Sequence, residues 1–517
     1  MDKPSYILNF QKPKNTEIKH INGHWYLYER YSVYDPVIKR SRKKSGKIIG
    51  RITENGLIQS REKTGNRPSI CHDIVEVGAV NFFYGRTAEM RERLKHCFPD
   101  LWQQIYIIAI VRAIYDCRFK RLQLHYEDCA LSYIYPGVSF SARSVSALLS
   151  TLGRQRNGIE NYMKESMSDD ERFLLFDGHR LLSASCTMDN AELGYDSKRR
   201  YKPQINLIYM FSMGKDTGCP VYYKQFIGST PDVTAFSDIL QESGSYGRDC
   251  TVVADKGFTS EEDITLIEGS SLKYILPLKR GNKYAKDKLP ESPAGYDEAF
   301  SFNGRGIQSV TFHEEEFNIH IFFDADLFAQ EMSDLTKRTE KKNNSIQVKK
   351  EQEAQRRANG KGRLTDEELA SLEPLCVKDM YEDKKEMGTI TVKTNRKELN
   401  SFQVYCIYKQ RQAVEQFFKT YGDTMSFESS YMRDNYSEEA WLFLNHLSSI
   451  ICINAIEEIA SIKESKNVSY KDLTQTLIKI KANYSDGKWS VVPIKKAVQN
   501  LCKKLKYDPV DLSGLNL

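Results

Sequence analysis

Three carboxylates are the residues in this chain best suited to chemistry. Asp177 follows the apolar run 173–176, and Asp255 follows the apolar run 251–254. Short apolar runs of this kind predict buried strands, and open α/β sheets build their sites just beyond strand ends. Carboxylate oxygens at such a place suit a hard divalent cation. The alternative for each Asp alone is an ordinary turn or helix cap.

The third carboxylate, Glu415, lies in a segment with helical periodicity. At about 100° per residue, Tyr408, Arg411 and Lys419 fall within roughly 40° of Glu415. An adjoining stripe is apolar and contains Ile407, Val414, Phe418 and Tyr421. We therefore predict a helix that packs on a sheet and presents these four polar side chains beside it. The alternative is a solvated charged face next to a core stripe, as on most amphipathic helices.

The segment between the two Asp residues and beyond predicts strands mixed with helices. The predicted elements are strands ending at Asp177 and Asp255, strands at 205–212, 221–227 and 274–278, a helix at 232–242 and a helix that begins near Ser260. This order is typical of α/β and α+β folds.

The same motifs resemble a known family. Phe176-Asp177-Gly178, the run 254–258 (ADKGF) and Tyr408-x2-Arg411-x3-Glu415 occur in the order found in DDE transposases of bacterial insertion sequences. The resemblance is to the branch with a Tyr-Arg-Glu-Lys signature. Weaker similarities lie at 194–204, at Thr394-Asn395 and at 441–445. The signature's lysine would fall at position 422, where this chain has Gly422.

The resemblance implies an RNase H-like core in which Asp177, Asp255 and Glu415 are catalytic and bind Mg²⁺. Two ions are implied, with Mn²⁺ as a substitute, because two metals about 3.5–4 Å apart stabilise both the entering and the leaving oxygen. Asp177 would bridge both ions, while Asp255 and Glu415 would each hold one.

The partner implied by the resemblance is double-stranded DNA, at the element ends and at the target. Tyr408 and Arg411 would position phosphates, and Lys419 would replace the lysine missing at Gly422. Lys256 and His179 are secondary candidates. A homodimer is expected in the end-paired complex, with no nucleotide cofactor. Two rivals stay open: a structure-specific nuclease with the same core, and a domesticated DNA-binding protein that no longer cuts.

The spacing of the carboxylates predicts an insertion. Asp177 and Asp255 are 255 − 177 = 78 positions apart, whereas Asp255 and Glu415 are 415 − 255 = 160 apart. We predict a multidomain α/β (α+β) protein with a β-rich insertion. Its predicted parts are a small β module (1–70), a helical DNA-binding domain (71–168), the RNase H-like core (169–285 and 399–460), the insertion with a basic linker (286–398) and a helical C-terminal region (461–517).

Composition limits the class of protein. A hydrophobic share of 40% and a charged share of 28% are ordinary for a soluble protein. No apolar run approaches the roughly 18 residues of a membrane span, and the first residues do not resemble a signal peptide. The 11 cysteines are scattered, which favours free thiols over a disulfide framework or zinc finger. We therefore expect a cytoplasmic, nucleoid-associated bacterial protein.

Local charge predicts contact with DNA more clearly than the net charge of +6. Residues 39–51 hold seven basic and no acidic side chains, and residues 337–363 hold ten basic and three acidic ones. Both stretches are candidates for phosphate contact. The alternatives are a solvated loop for the first and a disordered or exposed helical linker for the second. The DNA-binding candidates in the first are Lys39, Arg40, Arg42, Lys43 and Lys44.

Overall fold

The computed structural model describes residues 3–35, 39–59, 74–167, 172–183, 185, 187–195, 201–213, 218–230, 232–243, 250–254, 261–269, 272–375, 386–411, 414, 429–462, 467–485 and 488–515. Of the predicted site residues, Asp255, Glu415 and Lys419 lie outside these ranges, as do Lys256 and Gly422. The chain divides into two compact units, residues 1–73 and 74–517.

The N-terminal unit is an antiparallel sheet with a short helix. Asn22 and Gly23 have φ of 51° and 79°, the left-handed pair that a two-residue hairpin turn requires. Ile7, Leu27 and Ile52 form a small core. Residues 24–31 and 47–53 of the predicted β module read as short strands from their sequence, and both runs lie within longer strands of the structure. The elements are α1 (Ser5–Leu8), β1 (Thr16–Ile21), β2 (His24–Asp35), β3 (Arg40–Thr53) and β4 (Gly56–Gln59).

The larger unit begins with a short strand followed by helices. Apolar residues recur at helical spacing over residues 87–167, and this pattern predicts the helices. Residues 105–114 are buried on every side, because a helix that is apolar all round must lie inside a core. The elements are β5 (Ile74–Glu76), α2 (Gly78–Arg86), α3 (Ala88–Cys97), α4 (Trp102–Tyr115), α5 (Leu122–Glu127), α6 (Leu131–Ile134), α7 (Ala142–Gly153) and α8 (Arg156–Ser166).

The predicted strands and helices of the core are confirmed, with an additional short strand before the second. The elements are β6 (Arg172–Ser183), β7 (Glu192–Tyr195), β8 (Tyr201–Met213), β9 (Gly218–Ile227), α9 (Asp232–Glu242), β10 (Cys250–Ala254), α10 (Glu261–Gly269) and β11 (Lys273–Pro277). The central strands lie in the order β9-β8-β6-β10-β11. β6, β10 and β11 are parallel, whereas β8 and β9 are antiparallel to their neighbours. This mixed α/β arrangement agrees with the RNase H-like core that the resemblance implies.

The predicted insertion contains the expected strands and one long helix. Its last strand pairs with β11 on one side and with the preceding insertion strand on the other, so the inserted strands extend the core sheet. The basic stretch 337–363 is largely an exposed helix. The elements are β12 (Glu298–Phe302), β13 (Arg305–His313), β14 (Asn318–Asp324), α11 (Ala325–Ala358), α12 (Asp366–Ala370) and β15 (Thr389–Thr394).

The rest of the chain completes the core. Its elements are α13 (Ser401–Lys409), β16 (Ser429–Ser430), α14 (Asn435–Ser461), α15 (Tyr470–Leu477), β17 (Lys481–Ser485), β18 (Lys488–Val491) and α16 (Lys496–Lys504). The predicted helical C-terminal region contains α15 and α16. It also contains a hairpin that was not predicted, in which β17 and β18 pair with each other and β17 pairs with β5. That pairing joins residues about 400 positions apart, which local periodicity does not reveal.

α14 is the one helix in the described part of the chain that is long and apolar enough to cross a membrane. Within its most apolar window, 72% is buried inside the fold. It packs against α4, α7 and β9. The core of the larger unit joins side chains from these helices and from the sheet in one cluster, so α14 has the burial expected of a core helix.

Candidate active site on the central strand

Asp177 lies on the central strand of the sheet and is partly buried. The prediction that its strand ends there is wrong, because β6 continues to Ser183 and pairs with β8 as far as Leu182. The parallel partner β10 is described only to Ala254, which pairs with Phe176. Asp177 is therefore the first residue of β6 beyond this parallel pairing. Its Oδ1 accepts a hydrogen bond from the Gly178 amide at 2.9 Å.

Asp255 follows Ala254 directly in the chain and lies outside the described residues. Consecutive Cα atoms are about 3.8 Å apart, and Ala254 is in register with the residue before Asp177. Asp177 and Asp255 therefore each directly follow one member of a parallel pair of residues on adjacent strands.

Within the described residues the predicted helix around Glu415 is interrupted at Gln410, because α13 lies before this turn residue and Arg411 and Val414 after it are again helical. α13 begins with a capping box, in which Asn400 and Gln403 each bond the other's backbone amide. It ends at Lys409, and Gln410 is in a turn. Tyr408 is 6% exposed, a burial that the helical wheel did not predict. Arg411 is partly buried.

His179 lies two residues beyond Asp177 on the same strand face. Burial lowers the pKa of its imidazole to about 4, so this side chain is neutral at pH 7. Arg180, the next residue, donates to the Gly228 carbonyl at 3.0 Å and so helps to hold the strand beyond Asp177.

A row of aromatic side chains continues from Asp177 across the sheet. Tyr209 of β8 lies opposite Asp177, and Tyr223 of β9 lies opposite Tyr209, and directly paired residues share a face of the sheet. His446 of α14 covers this row, with ring centroids 5.9 Å from Tyr209 and 5.4 Å from Tyr223. Burial lowers the His446 pKa to about 3. Sequence reasoning missed His446, although it directly follows the 441–445 motif.

A buried polar network fixes α14 on this face. Glu439 accepts from the Arg156 guanidinium at 2.6 Å, from the Tyr223 hydroxyl at 2.8 Å and from the Gln225 amide at 2.6 Å. Arg156 also donates to Glu242 at 2.8 Å. We call these five residues the Arg156 network. It connects α8, α9, β9 and α14, and no short sequence pattern announces it.

The weaker sequence similarities have structural roles. Asn395 accepts from the Tyr274 amide at 2.8 Å and donates to the Leu272 carbonyl at 2.9 Å, which fixes the start of β11. Asn445 accepts from Arg112 at 2.7 Å inside the core. A Cβ on Gly194 would lie 2.1 Å from the side-chain amide nitrogen of Gln204, so the Gln204 side chain would have to move to admit it.

The insertion's phenylalanines pack inside it. Phe322 is fully buried, and Phe323 contacts the rings of Tyr296 and Phe328. Phe317 lies 4.0 Å from the Lys393 ammonium. Phe322 has the burial expected of a core side chain, whereas Phe317 and Phe323 are partly buried.

One other group of side chains has metal-ligand types within reach of one another among the described residues. His96, Cys97 and Glu165 lie together near the surface. Burial and the neighbouring Glu165 carboxylate raise the pKa of the Cys97 thiol to about 11, so it stays protonated at pH 7 and is a poor ligand. The interpretation of His96-Cys97 as packing or surface residues agrees with this chemistry. The cysteines with described positions are free.

The mixed sheet, with Asp177 on its central strand, defines the fold class of this protein as RNase H-like. A family model described as "Transposase DDE domain" matches residues 169–451, more than half of the chain. The chain belongs to this family and is a transposase. The family generally uses divalent metal ions, typically Mg²⁺, and acts on DNA. A comparison with curated proteins gives no match.

Proposed function

We propose that this transposase cuts DNA at the ends of an insertion sequence and joins the freed 3′ ends to target DNA. Membership of the family supports the reaction class. The observation that carries the assignment to particular residues is the register of the central strands. Asp177 and Asp255 each follow one member of the parallel pair Phe176 and Ala254, as two ligands of one site require.

The chemistry of the donors fits a divalent metal. The described member, Asp177, is a partly exposed carboxylate in the sheet, and Mg²⁺ prefers such oxygen ligands while keeping several waters. Asp177, Asp255 and Glu415 would hold two ions, for which Mn²⁺ would substitute. When bound, the ions lower the pKa of a water and stabilise charge on the entering and leaving oxygens.

The chain's other residues would orient the DNA. Arg411 offers a planar fork of donors that suits a phosphate, and Tyr408 and Lys419 complete the proposed phosphate contacts. Gly422 cannot replace the family's lysine, and Lys419 projects from the same predicted helix face within about 40° of Glu415. We propose that Lys419 takes its place. Lys419→Ala should then reduce end affinity and strand transfer together, whereas Gly422→Lys should leave strand transfer no better. Normal joining by Lys419→Ala would mark this lysine as a solvated charge.

The test replaces Asp177, Asp255 and Glu415 singly by Ala and measures Mg²⁺-dependent cleavage of a duplex that carries the element's terminal sequence. Each change should lower the rate roughly a thousandfold or more while binding stays nearly unchanged. Asp238→Asn, an exposed acid on α9, is the matched control and should cut normally. Near-normal cleavage by any of the three variants would remove that residue from the site.

The products of the same reaction separate the proposal from a nuclease. Wild-type protein supplied with a target plasmid should give joined products that contain both DNAs. Cut ends without joining would indicate a nuclease. Binding without cutting in Mg²⁺ or Mn²⁺ would indicate a DNA-binding protein that has lost its activity.

A further inference from the structure

A two-stranded ribbon extends beyond the rest of the N-terminal sheet. β1 pairs with β2 only over residues 16–21 and 24–29, and β4 pairs with β3 only over 50–53. Beyond these limits residues 31–35 pair with residues 40–44 in unbroken antiparallel register. We call these ten residues the ribbon. Among the positions that the structure describes, no further strand flanks it.

The ribbon has no core of its own. Each of its side chains with a described position is exposed, and the large ones are Tyr31 (51%), Val33 (40%) and Tyr34 (62%). An isolated pair of strands is marginally stable in water. Exposed aromatic and aliphatic side chains on such an element indicate a surface that a partner covers.

The pairing register divides the ribbon into two chemically different faces. Arg42 lies opposite Val33 and Lys44 lies opposite Tyr31, and paired residues share a face. With Arg40, which alternation places on the same side, they form what we call the arginine face. The opposite side, the serine face, has Lys43 opposite Ser32 and Ser41 opposite Tyr34.

Charge indicates the partner. Residues 31–44 contain five cations (Lys39, Arg40, Arg42, Lys43 and Lys44) and one acid, Asp35. Three of these cations lie in a row on the arginine face, where Asp35 lies opposite Arg40 and uncharged side chains lie opposite Arg42 and Lys44, whereas the serine face within the ribbon has one cation. A cationic row on a narrow exposed element complements a polyanion with closely spaced charges, which is the character of duplex DNA.

We propose that the ribbon enters the major groove of double-stranded DNA with its arginine face toward the bases. The B-DNA major groove is about 12 Å wide and admits a two-stranded ribbon, whereas the minor groove is about 6 Å wide. Arg40 and Arg42 are the side chains suited to bidentate contact with guanine O6 and N7, and Val33 is suited to a thymine methyl group. Lys44 contacts phosphate. This inference rests on the proposed function only in taking duplex DNA as the partner.

The two neighbouring lysines provide a matched test of the face assignment in the full-length protein. Lys44→Ala and Lys43→Ala remove the same charge from adjacent exposed positions on opposite faces. Binding is measured on a duplex with the element's terminal sequence at several salt concentrations. Lys44→Ala should weaken binding several-fold and reduce the slope of log K against log salt by about 0.9, and Lys43→Ala, on the opposite face, should have a clearly smaller effect on both. Equal effects would overturn the face assignment.

Methylation interference tests the groove. Dimethyl sulfate modifies guanine N7 in the major groove and adenine N3 in the minor groove. Guanine modification at one short block should inhibit wild-type binding, and Arg42→Ala should bind roughly tenfold more weakly and lose sensitivity at one guanine in that block. Interference confined to adenine N3 would overturn the proposal. So would wild-type affinity after replacing Lys39, Arg40, Arg42, Lys43 and Lys44 together by Ala.

Failure of this inference is distinguishable from failure of the proposed function. Normal binding by the ribbon variants, with normal cleavage, would remove the ribbon and leave the reaction intact. If the wild-type protein binds DNA through the ribbon but never cuts it, the role of the ribbon stands and the proposed reaction is removed. The alternative partner of the ribbon is a second copy of this chain, paired at the ribbon edges. Analytical sedimentation of the same variants measures their oligomeric state and tests this alternative. A change of oligomeric state without a change in DNA affinity would assign the ribbon to that contact and overturn the proposal.

Discussion

The ribbon and the pairings of β6 with β8 and of β8 with β9 beside Asp177 are all antiparallel, yet they differ in what covers them. Both faces of the ribbon are exposed, whereas Tyr209 and Tyr223, in line with Asp177, are fully buried beneath α14. Strands covered by helices gain stability from apolar burial. Strands without a covering helix gain little stability from apolar burial, and their side chains stay exposed to a binding partner. The strands around Asp177 are therefore fixed by packing, whereas the ribbon has the exposure expected of a binding surface.

The polar groups of the two regions differ in the same way. Glu439 in the Arg156 network is 5% exposed and has three side-chain donors. Removal of such a group leaves its partners unsatisfied in a medium where water cannot replace it. The ribbon lysines Lys43 and Lys44 are exposed, and the loss of one exposed charge changes folding stability little. Four measurements test this difference between the two regions.

The largest effect is expected from Glu439→Ala. The free energy of unfolding should fall by about 3 kcal/mol, because Arg156, Tyr223 and Gln225 each lose a buried acceptor. Urea denaturation followed by tryptophan fluorescence measures this, since Trp102, Trp441 and Trp489 lie in the larger unit. Glu89→Ala is the control, because Glu89 pairs with Arg93 while 86% exposed, and should cost no more than about 0.5 kcal/mol. Equal losses would contradict the role given to the network.

A somewhat smaller loss is expected from Gly153→Ala at the end of α7. A Cβ there would lie 1.8 Å from the Tyr436 carbonyl oxygen of α14, so the two helices would have to separate. Overpacking of this kind costs about 1–3 kcal/mol. Gly85→Ala in α2 is the matched control, because its Cβ meets nothing within 4 Å and alanine favours a helix. It should leave the stability unchanged or raise it.

The pH dependence of unfolding should carry a contribution from Glu438. Burial, the largest cause, and the neighbouring Glu439 and Asp434 raise its pKa to about 8, although a Ser430 hydrogen bond opposes the rise. Between the unfolded value near 4.3 and pH 8, the unfolded state releases a proton that the folded state keeps. Stability should therefore fall as the pH rises through this interval. Glu438→Gln should remove that part of the slope when denaturation is compared at pH 5.5 and 8.5. An unchanged slope would show that Glu438 is ionised in the fold.

The smallest effect on stability is expected in the ribbon. Lys43→Ala and Lys44→Ala should each change the free energy of unfolding by no more than about 0.5 kcal/mol, since both side chains are exposed. The same denaturation curves, with Trp25 reporting on the N-terminal unit, provide the check. A loss above 1 kcal/mol in either variant would show that the ribbon's charges serve the fold and would remove the contrast between the two regions.

The positions of elements with strong local patterns can be predicted from the sequence alone. α9 occupies the predicted residues, and the strands before Asp177 and Asp255 and in the insertion lie where apolar runs and alternation put them. The order of motifs around Asp177, Asp255 and Glu415 predicted the family that the residues 169–451 match. These predictions succeed because hydrophobic periodicity and motif order are properties of neighbouring residues.

Which distant segments pair or pack together is visible only in the tertiary structure. The extension of β6 past Asp177 depends on β8, the hairpin β17–β18 depends on β5, and the burial of Tyr408 depends on what packs against α13. The Arg156 network joins four elements across nearly 300 positions. The ribbon's two faces follow from a register that the sequence leaves open, because a slip of one residue would exchange every side chain between them. Long-range pairing is fixed by the burial of the whole core, and a local pattern contains no record of it.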